Sequence, residues 1–287
     1  MIGSYRVPLP GGRALELGPR TLVMGILNIT PDSFTDGGLH LDVDRAVAAG
    51  LAMVGDGADI LDIGGESTRP GADPVPADEE LRRVLPVVER LAGETSVPLS
   101  IDTYKAVVAR EAVARGATIV NDVSGLQFDT ELGRAAADTG AALVLMHTRG
   151  RSRDMYEQAV YADPAADVTT ELADAIERAK RAGVERERII VDPGLGFAKR
   201  AGHSFEVLAR LERVAALDRP ILCGASRKSF LKAALGERPP DDREWGTAAA
   251  VTAAILFGAH IVRVHNVRAM VDVVRVADRI RAARADG

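Results

Sequence analysis

Eight short apolar runs, each followed by a polar loop and a stretch of helical periodicity, set the strongest limit on how this chain can fold. The runs are mainly apolar and do not alternate regularly with polar residues, which is typical of strands buried on both faces of a parallel sheet. They cover residues 22–27, 60–63, 98–101, 118–120, 142–146, 189–191, 220–223 and 261–264. Between them, apolar residues recur at helical spacing and predict one amphipathic helix after another.

Eight strands alternating with helices are compatible with a closed barrel or with a doubly wound sheet. A doubly wound nucleotide-binding fold usually opens with a glycine-rich phosphate turn after its first strand, and no such turn follows residue 27. We therefore predict an α/β fold, a TIM (β/α)8 barrel that forms a single domain over residues 1–287. Within it, residues 1–20 are expected to form a short N-terminal hairpin that closes the barrel bottom.

Glycine and proline refine the helix boundaries. Gly57, Gly116, Gly140 and Gly258 are each followed by alanine and then by an apolar run. Glycine adopts the left-handed conformation that ends many helices, so these positions predict helix ends. Pro86 interrupts a helical stripe, and we expect it to kink that helix or to lie near one end.

Composition excludes several classes of function. The 287 residues include 36 Lys and Arg against 41 Asp and Glu, a net charge of −5, which argues against a nucleic-acid partner. The single cysteine, Cys223, excludes a disulfide framework and fits a cytoplasmic location. No signal-type N-terminus and no apolar stretch of spanning length is evident, so we expect no membrane association. The five histidines lack the spacing of a catalytic zinc site.

Polar side chains stand at the end of every predicted strand. In a TIM barrel the carboxyl ends of the strands form the active site. A single Asp or Asn there more often caps a helix or stabilises a turn. A full ring of them has no structural purpose and indicates a binding site. The ring contains Asn28, Asp62, Asp102, Asn121, His147, Asp192, residues 226–229, Arg263 and His265.

The chemistry of this ring favours a planar polar ligand that carries phosphate. Asp102, Asn121 and Asp192 could pair with the amino and ring N–H groups of a heterocycle. Arg263 stands near the end of the last strand and His265 just after it, where barrels often bind phosphate. Asn28 and the carboxylates could help place a hard divalent ion such as Mg²⁺.

Two loop motifs are similar to those of a known family. Residues 25–34 read GILNITPDSF and residues 62–71 read DIGGESTRPG. Both resemble signatures of the dihydropteroate synthase family, and shorter motifs follow in order as far as Arg263 and His265. The resemblance implies a TIM barrel that joins 6-hydroxymethyl-7,8-dihydropterin diphosphate to para-aminobenzoate, giving 7,8-dihydropteroate and pyrophosphate in folate biosynthesis. It also implies a transferase that uses Mg²⁺, forms a homodimer and is inhibited by sulfonamides.

The resemblance further implies a role for each matching residue. Asp102, Lys228 and Asn28 would be catalytic, and Asn28 would also contact the metal. The other roles fall into three groups. The pterin would bind to Asp102, Asn121, Met146, Asp192 and Lys228; the diphosphate to Asn28, Thr68, Arg263 and His265; and the aminobenzoate to Phe34, Thr68, Arg69, Pro70, Phe197 and Ser229.

Three other functions are compatible with parts of this pattern. A methyltetrahydrofolate-binding methyltransferase barrel would share Asp102, Asn121 and Asp192, but it would not be expected to carry the TPDSF loop or the SRKS stretch. A non-catalytic pterin-binding paralogue is a second alternative. A phosphate-sugar isomerase is a third, because one fold supports many functions, but its paired Glu/His or Lys base is not evident. The chain also departs from the family pattern at His203, Ser204 and Asn266.

Overall fold

The computed structural model describes residues 3–29, 38–67 and 71–285, with the backbone alone at 38–41 and 285. This part of the chain contains ten strands and ten α-helices. The strands are β1 Tyr5–Pro8, β2 Ala14–Leu17, β3 Leu22–Asn28, β4 Ile60–Gly64, β5 Leu99–Asp102, β6 Ile119–Asp122, β7 Ala142–Met146, β8 Ile189–Asp192, β9 Leu222–Cys223 and β10 Ile261–Val264. The helices are α1 Gly38–Gly55, α2 Ala77–Glu94, α3 Ala106–Ala114, α4 Leu132–Thr139, α5 Pro164–Arg181, α6 Ala201–Ala209, α7 Glu212–Ala215, α8 Lys232–Leu235, α9 Glu244–Leu256 and α10 Val267–Ala285.

Strands β3 to β10 form one parallel sheet that closes almost completely. Their order is β8-β7-β6-β5-β4-β3-β10-β9, so β8 and β9 are its two edges. An isolated parallel bridge between Val191 and Ile221 joins these edges, and the Val191 N–H donates to the Pro220 carbonyl at 2.9 Å. The prediction of a TIM barrel is confirmed.

The barrel interior is apolar in its lower half. Side chains alternate along a strand, and the inward-facing set includes Met24, Ile60, Ile119 and Ile190. The antiparallel hairpin β1–β2 adds Val7, Leu9, Leu15 and Leu17 to the same core cluster. The hairpin therefore covers the amino-terminal ends of the barrel strands. A larger core lies outside the barrel, between its strands and the surrounding helices.

Two residues further along four of the strands, the inward-facing positions become polar. Asp62 follows Ile60, Asn121 follows Ile119, and Asp192 follows Ile190, while Arg263 follows Ile261 in the same way. Because the strands are parallel, this change occurs at one end of the barrel. The carboxyl ends of the strands therefore surround a polar centre, and apolar side chains fill the barrel below it.

The glycine predictions hold, and of the two alternatives predicted for Pro86, the position near a helix end is wrong. Gly57, Gly116, Gly140 and Gly258 all have positive φ angles, between 67° and 119°, as expected at helix ends. Pro86 lies in the middle of α2 and not near an end, and the helix continues to Glu94. Packing of the buried face of α2, which includes Val84, Val88 and Leu91, compensates for the missing N–H of the proline.

No helix in the described ranges is long and apolar enough to cross a bilayer.

Candidate active site

The polar layer at the top of the barrel consists of Asp62, Asp102, Asn121, Asp192 and Arg263. Strand register brings these residues together, since Gly64 pairs with Asp102 and Asp102 pairs with Asn121 across neighbouring strands. The three carboxylates and the amide are all buried, with exposed fractions between 0% and 7%. So many buried polar groups in one place require specific partners.

Arg263 links two of the carboxylates. Its Nε donates to Asp62 Oδ2 and its Nη2 donates to Asp102 Oδ2, both at 2.6 Å. Asn121 Nδ2 donates to the same Asp62 oxygen at 3.1 Å. Burial lowers the pKa of Arg263, but the charges of Asp62 and Asp102 outweigh burial and raise this pKa overall. The guanidinium therefore stays charged and balances two buried carboxylates.

The second oxygen of each paired carboxylate is left without a partner. Asp62 Oδ1 and Asp102 Oδ1 are buried and accept no hydrogen bond. A buried acceptor without a donor costs about 1–3 kcal/mol. Burial also raises the pKa of Asp102 to about 7, although the charge of Arg263 opposes this rise. Such a site is suited to a ligand that brings its own N–H donors.

Lys228 approaches this layer from the loop after β9. Its Nζ donates to the Leu195 carbonyl at 2.6 Å and lies 4.5 Å from the centroid of the Phe197 ring. Burial lowers the pKa of Lys228 to about 8, while the charge of Asp192 opposes this effect. Asp192 in turn accepts from the Gly194 N–H at 2.7 Å, and burial raises its pKa.

Gly224 keeps the centre of the site open. A Cβ atom at this position would lie 3.7 Å from Lys228 Nζ, 3.8 Å from Arg263 Cβ and 3.9 Å from Asp192 Oδ2. The side chains of Lys228, Arg263 and Asp192 thus converge on a position that carries no side chain. Sequence reasoning assigned no site role to Gly224, although counting two residues on from the inward-facing Leu222 would have found it.

Asp62 is the second residue that sequence reasoning left out of the site. The sequence places it in the ring of strand-end residues, but no ligand is assigned to it there. The signal that could have included it is its place in the period-two pattern, because it follows Ile60 on the inward face. Its contact with Arg263 depends on barrel closure, which brings β4 and β10 to either side of β3.

The remaining predicted residues that the structure describes lie at or just after the ends of strands. His265 Nδ1 lies 2.9 Å from Ser226 Oγ, and Met146 pairs in register with Asp192. Asn28 ends β3, where its Oδ1 would lie 3.7 Å from a Cβ atom on Gly64. Ser229 is exposed at the start of a short 3₁₀ turn just after Lys228. Phe34, Thr68, Arg69 and Pro70 lie outside the described residues, so their roles stay predictions.

The departures from the family pattern lie away from the polar layer. Asn266 Oδ1 accepts from the Ala269 N–H at 3.3 Å, so it caps the start of α10. Ser204 lies in α6 and accepts from the Gly196 N–H at 3.1 Å through its hydroxyl. His203 also lies in α6, with its ring 5.0 Å from that of Tyr161. None of these interactions involves Asp62, Asp102 or Arg263.

Comparison with known proteins agrees with this geometry. A family model described as "Pterin binding enzyme" matches residues 24–265. A Synechocystis sp. protein named dihydropteroate synthase is 45% identical over 274 residues, 95% of each chain. The chain belongs to the dihydropteroate synthase family. The resemblance of the two loop motifs is thereby confirmed.

Solved structures of this family share the fold closely. The dihydropteroate synthase of Xanthomonas albilineans with 4-aminobenzoic acid has a TM-score of 0.90 and 45% identity, covering 98% of this chain and 99% of that one. The same enzyme in complex with 7,8-dihydropteroate has a TM-score of 0.86 and 42% identity, covering 96% and 99%. The match extends over essentially the whole barrel.

Proposed function

We propose that this chain is a dihydropteroate synthase, a transferase that joins 6-hydroxymethyl-7,8-dihydropterin diphosphate to para-aminobenzoate in folate biosynthesis. The products are 7,8-dihydropteroate and pyrophosphate. One observation carries this assignment: two buried carboxylates share Arg263, and each has a buried oxygen without a donor. Family membership, and relatives solved with 4-aminobenzoic acid and with 7,8-dihydropteroate, support it.

The pterin would occupy the polar layer. Its ring carries amino and N–H donors along one edge, and these complement the oxygens of Asp102, Asn121 and Asp192. Met146, beside Asp192, would supply an apolar contact to a ring face. Lys228 would reach the pterin from above, because its ammonium already lies near Asp192 around Gly224.

The diphosphate would lie toward β3 and β10. The ion pairs of Arg263 with Asp62 and Asp102 use two of its five N–H groups and leave others for phosphate oxygens. His265, which follows β10, and Asn28, which ends β3, stand on neighbouring strands. Thr68 would also contact the diphosphate.

Asn28 is the residue that would contact Mg²⁺. Among the described residues, no group of three or more His, Cys, Asp or Glu side chains is arranged to hold a metal ion. Mg²⁺ in phosphate-handling sites keeps several waters and needs only one or two protein oxygens beside the phosphates. The amide oxygen of Asn28 at the rim fits that requirement. When bound, Mg²⁺ would neutralise charge on the departing pyrophosphate.

Asp102 and the residues around the aminobenzoate would carry the chemical step. As the C–O bond to pyrophosphate breaks, positive charge develops on the pterin methylene group, and the Asp102 carboxylate would stabilise it. The amine nitrogen of para-aminobenzoate then forms the new C–N bond and loses a proton. Phe197 and Ser229, together with Phe34, Thr68, Arg69 and Pro70, would hold the aminobenzoate and exclude water.

Location and assembly complete the proposal. The buried thiol of Cys223 fits a reducing cytoplasm. For a homodimer, we propose the face formed by α9 and α10. Trp245 on α9 is 85% exposed, and Val276 and Ile280 on α10 are 61% and 44% exposed. Large apolar side chains on adjoining helices are typical of a surface that another subunit covers.

Pyrophosphate release tests the function directly. With dihydropterin diphosphate and Mg²⁺, we expect sustained release only when para-aminobenzoate is present, together with formation of 7,8-dihydropteroate. A non-catalytic paralogue would bind the pterin and release nothing. A methyltransferase barrel would bind methyltetrahydrofolate, and tight binding of that compound without pyrophosphate release would overturn the proposal.

A further inference from the structure

The loop between β8 and α6 has an unusual set of backbone contacts. Every carbonyl from Gly194 to Ala198 accepts a hydrogen bond from a side chain. Lys199 donates to Gly194 and Phe197, both at 3.0 Å, and Lys228 donates to Leu195 at 2.6 Å. Tyr156 and Tyr161 donate to Gly196 and Ala198 at 3.4 and 2.9 Å.

The backbone of this loop is conformationally demanding. Gly194, Gly196 and Ala198 have φ angles of 66°, 81° and 48°, so every second residue is left-handed. For Ala198, which has a Cβ atom, that conformation costs about 1–3 kcal/mol and persists only where surrounding contacts enforce it. The donors to the loop carbonyls supply such contacts.

Lys199 is the most deeply placed of these donors. Its side chain is 1% exposed, and Nζ lies 2.7 Å from His147 Nδ1 in addition to the two loop carbonyls. Burying an ammonium group is costly unless every proton has an acceptor. Neither the polar layer proposed to bind the pterin nor the chemical step proposed above uses the Lys199 side chain.

The surrounding contacts define which atoms carry protons. Burial raises the pKa of Glu171, but hydrogen bonds from His147 and Arg149 outweigh burial and lower it to about 2. The ionised Glu171 therefore accepts from His147 Nε2–H at 3.0 Å. Burial and the charge of Lys199 lower the pKa of His147 to about 4, so its ring is neutral and Nδ1 is an acceptor. Burial also lowers the pKa of Lys199 well below its ordinary value. Its Nζ is surrounded by His147 Nδ1, the Gly194 and Phe197 carbonyls and, at 3.4 Å, the His147 carbonyl.

We propose that Lys199 is a positioning residue for the aminobenzoate side of the active site. Its Nζ donates to the Gly194 and Phe197 carbonyls, and this holds the Phe197 ring and the Leu195 carbonyl against Lys228. Lys199 itself touches no substrate. The proposal rests on the proposed function, because it assigns the Phe197 ring to the aminobenzoate pocket.

Of the three carboxylates in the polar layer, only Asp192 borders this loop, since it ends β8 and accepts from the Gly194 N–H. Asp62 and Asp102 stand on β4 and β5, on the opposite side of the barrel from β8. The Asp192 side chain is held by the Gly194 N–H and accepts no hydrogen bond from Lys199. Loss of the Lys199 amino group should therefore affect para-aminobenzoate more than the pterin. We expect the KM for para-aminobenzoate to rise about tenfold in Lys199→Met, the size of a typical contact coupling, with the pterin diphosphate KM changed less than about twofold.

A double-mutant cycle with Phe197→Ala separates positioning from general stabilisation. If Lys199 acts through the Phe197 ring, Lys199→Met should lower kcat/KM for para-aminobenzoate about tenfold in the parent and less than about twofold in the Phe197→Ala background. Lys180→Met, which removes an exposed lysine on α5, is the matched control and should change neither value. If Lys199→Met does not fold, Lys199→Gln, which keeps an amide donor, enters the same cycle.

Equal losses in both backgrounds, or equal rises in both KM values, would overturn the positioning role. If the parent chain shows no turnover, the proposed function fails, and amide hydrogen exchange tests Lys199 independently. Faster exchange in Lys199→Met confined to residues 194–198 supports positioning of the loop. Faster exchange throughout the barrel, or none in this loop, overturns it.

Discussion

Replacing Asp102 by Asn should make the folded protein more stable at alkaline pH while removing its activity. Burial raises the pKa of Asp102 from its ordinary value of 3.8 to about 7. The folded state keeps a proton that the unfolded chain releases earlier, so stability falls as the pH rises from 3.8 to about 7. That interval corresponds to about 4 kcal/mol of unfolding free energy.

The substitution mimics the protonated carboxyl group. Asparagine keeps the volume and leaves one oxygen to accept from Arg263 Nη2, which now donates at 2.6 Å. We expect a gain of about 2–4 kcal/mol in the free energy of unfolding at pH 8, falling below about 2 kcal/mol at pH 5. Urea unfolding at both pH values measures this difference. Turnover should fall about 10²- to 10³-fold, since the developing cation loses its counter-charge.

Asp122→Asn is the matched control. Asp122 is also buried, and burial raises its pKa to about 6. Both its oxygens already accept, from the Ser124 N–H and hydroxyl and from the Leu126 N–H. An amide cannot accept at both positions, so this variant should lose stability at pH 5 and at pH 8. The reasoning is refuted if Asp102→Asn is less stable than the parent at pH 8, or if its gain does not change with pH.

Four further outcomes follow from the structure. Arg263→Ala should lose about 3–5 kcal/mol of stability because Asp62 and Asp102 lose their shared cation, and unchanged urea unfolding would contradict that pairing. The pKa of Lys228 is lowered to about 8, so the pH–rate profile should decline above pH 8 as the ammonium deprotonates, and Lys228→Arg should abolish that decline. A sulfonamide should raise the apparent KM for para-aminobenzoate without changing maximal rate, and titrations at several fixed drug concentrations would show otherwise if the pocket assignment is wrong. Leu17→Ala, in the hairpin core, should cost about 2–5 kcal/mol in unfolding experiments and leave both KM values unchanged.

Sequence reasoning located the barrel strands well because burial on both faces produces continuous apolar runs. It ended several strands one or two residues early, at positions such as Asn28, Asp102 and Asp192, because those residues are polar. The polar ends mark the functional layer, so the same residues that weaken the strand pattern indicate the site. The seventh strand was placed at 220–223, whereas regular pairing covers only Leu222–Cys223.

Contacts across the barrel could not be predicted in this way. Arg263 was assigned to phosphate from its place on the last strand, while its ion pairs with Asp62 and Asp102 reach from β10 past β3 to β4 and β5. The sequence does not predict that Lys199 is buried, because a Lys-Arg pair after a glycine-rich turn is normally exposed to solvent. Only the folded loop, with its carbonyls turned toward one point, shows why this lysine is buried.

The seam of the barrel has a consequence for ligand binding. Between β8 and β9 the sheet is joined by a single bridge at Val191 and Ile221, the thinnest backbone connection between barrel strands. Asp192 stands on one side of this seam and Lys228 on the other. A pterin that contacts both residues would link β8 to the loop after β9. Binding of the pterin and closure of the barrel would therefore stabilise one another. At a ligand concentration of about 100 times Kd, such linkage contributes about 2.7 kcal/mol to the closed, folded state.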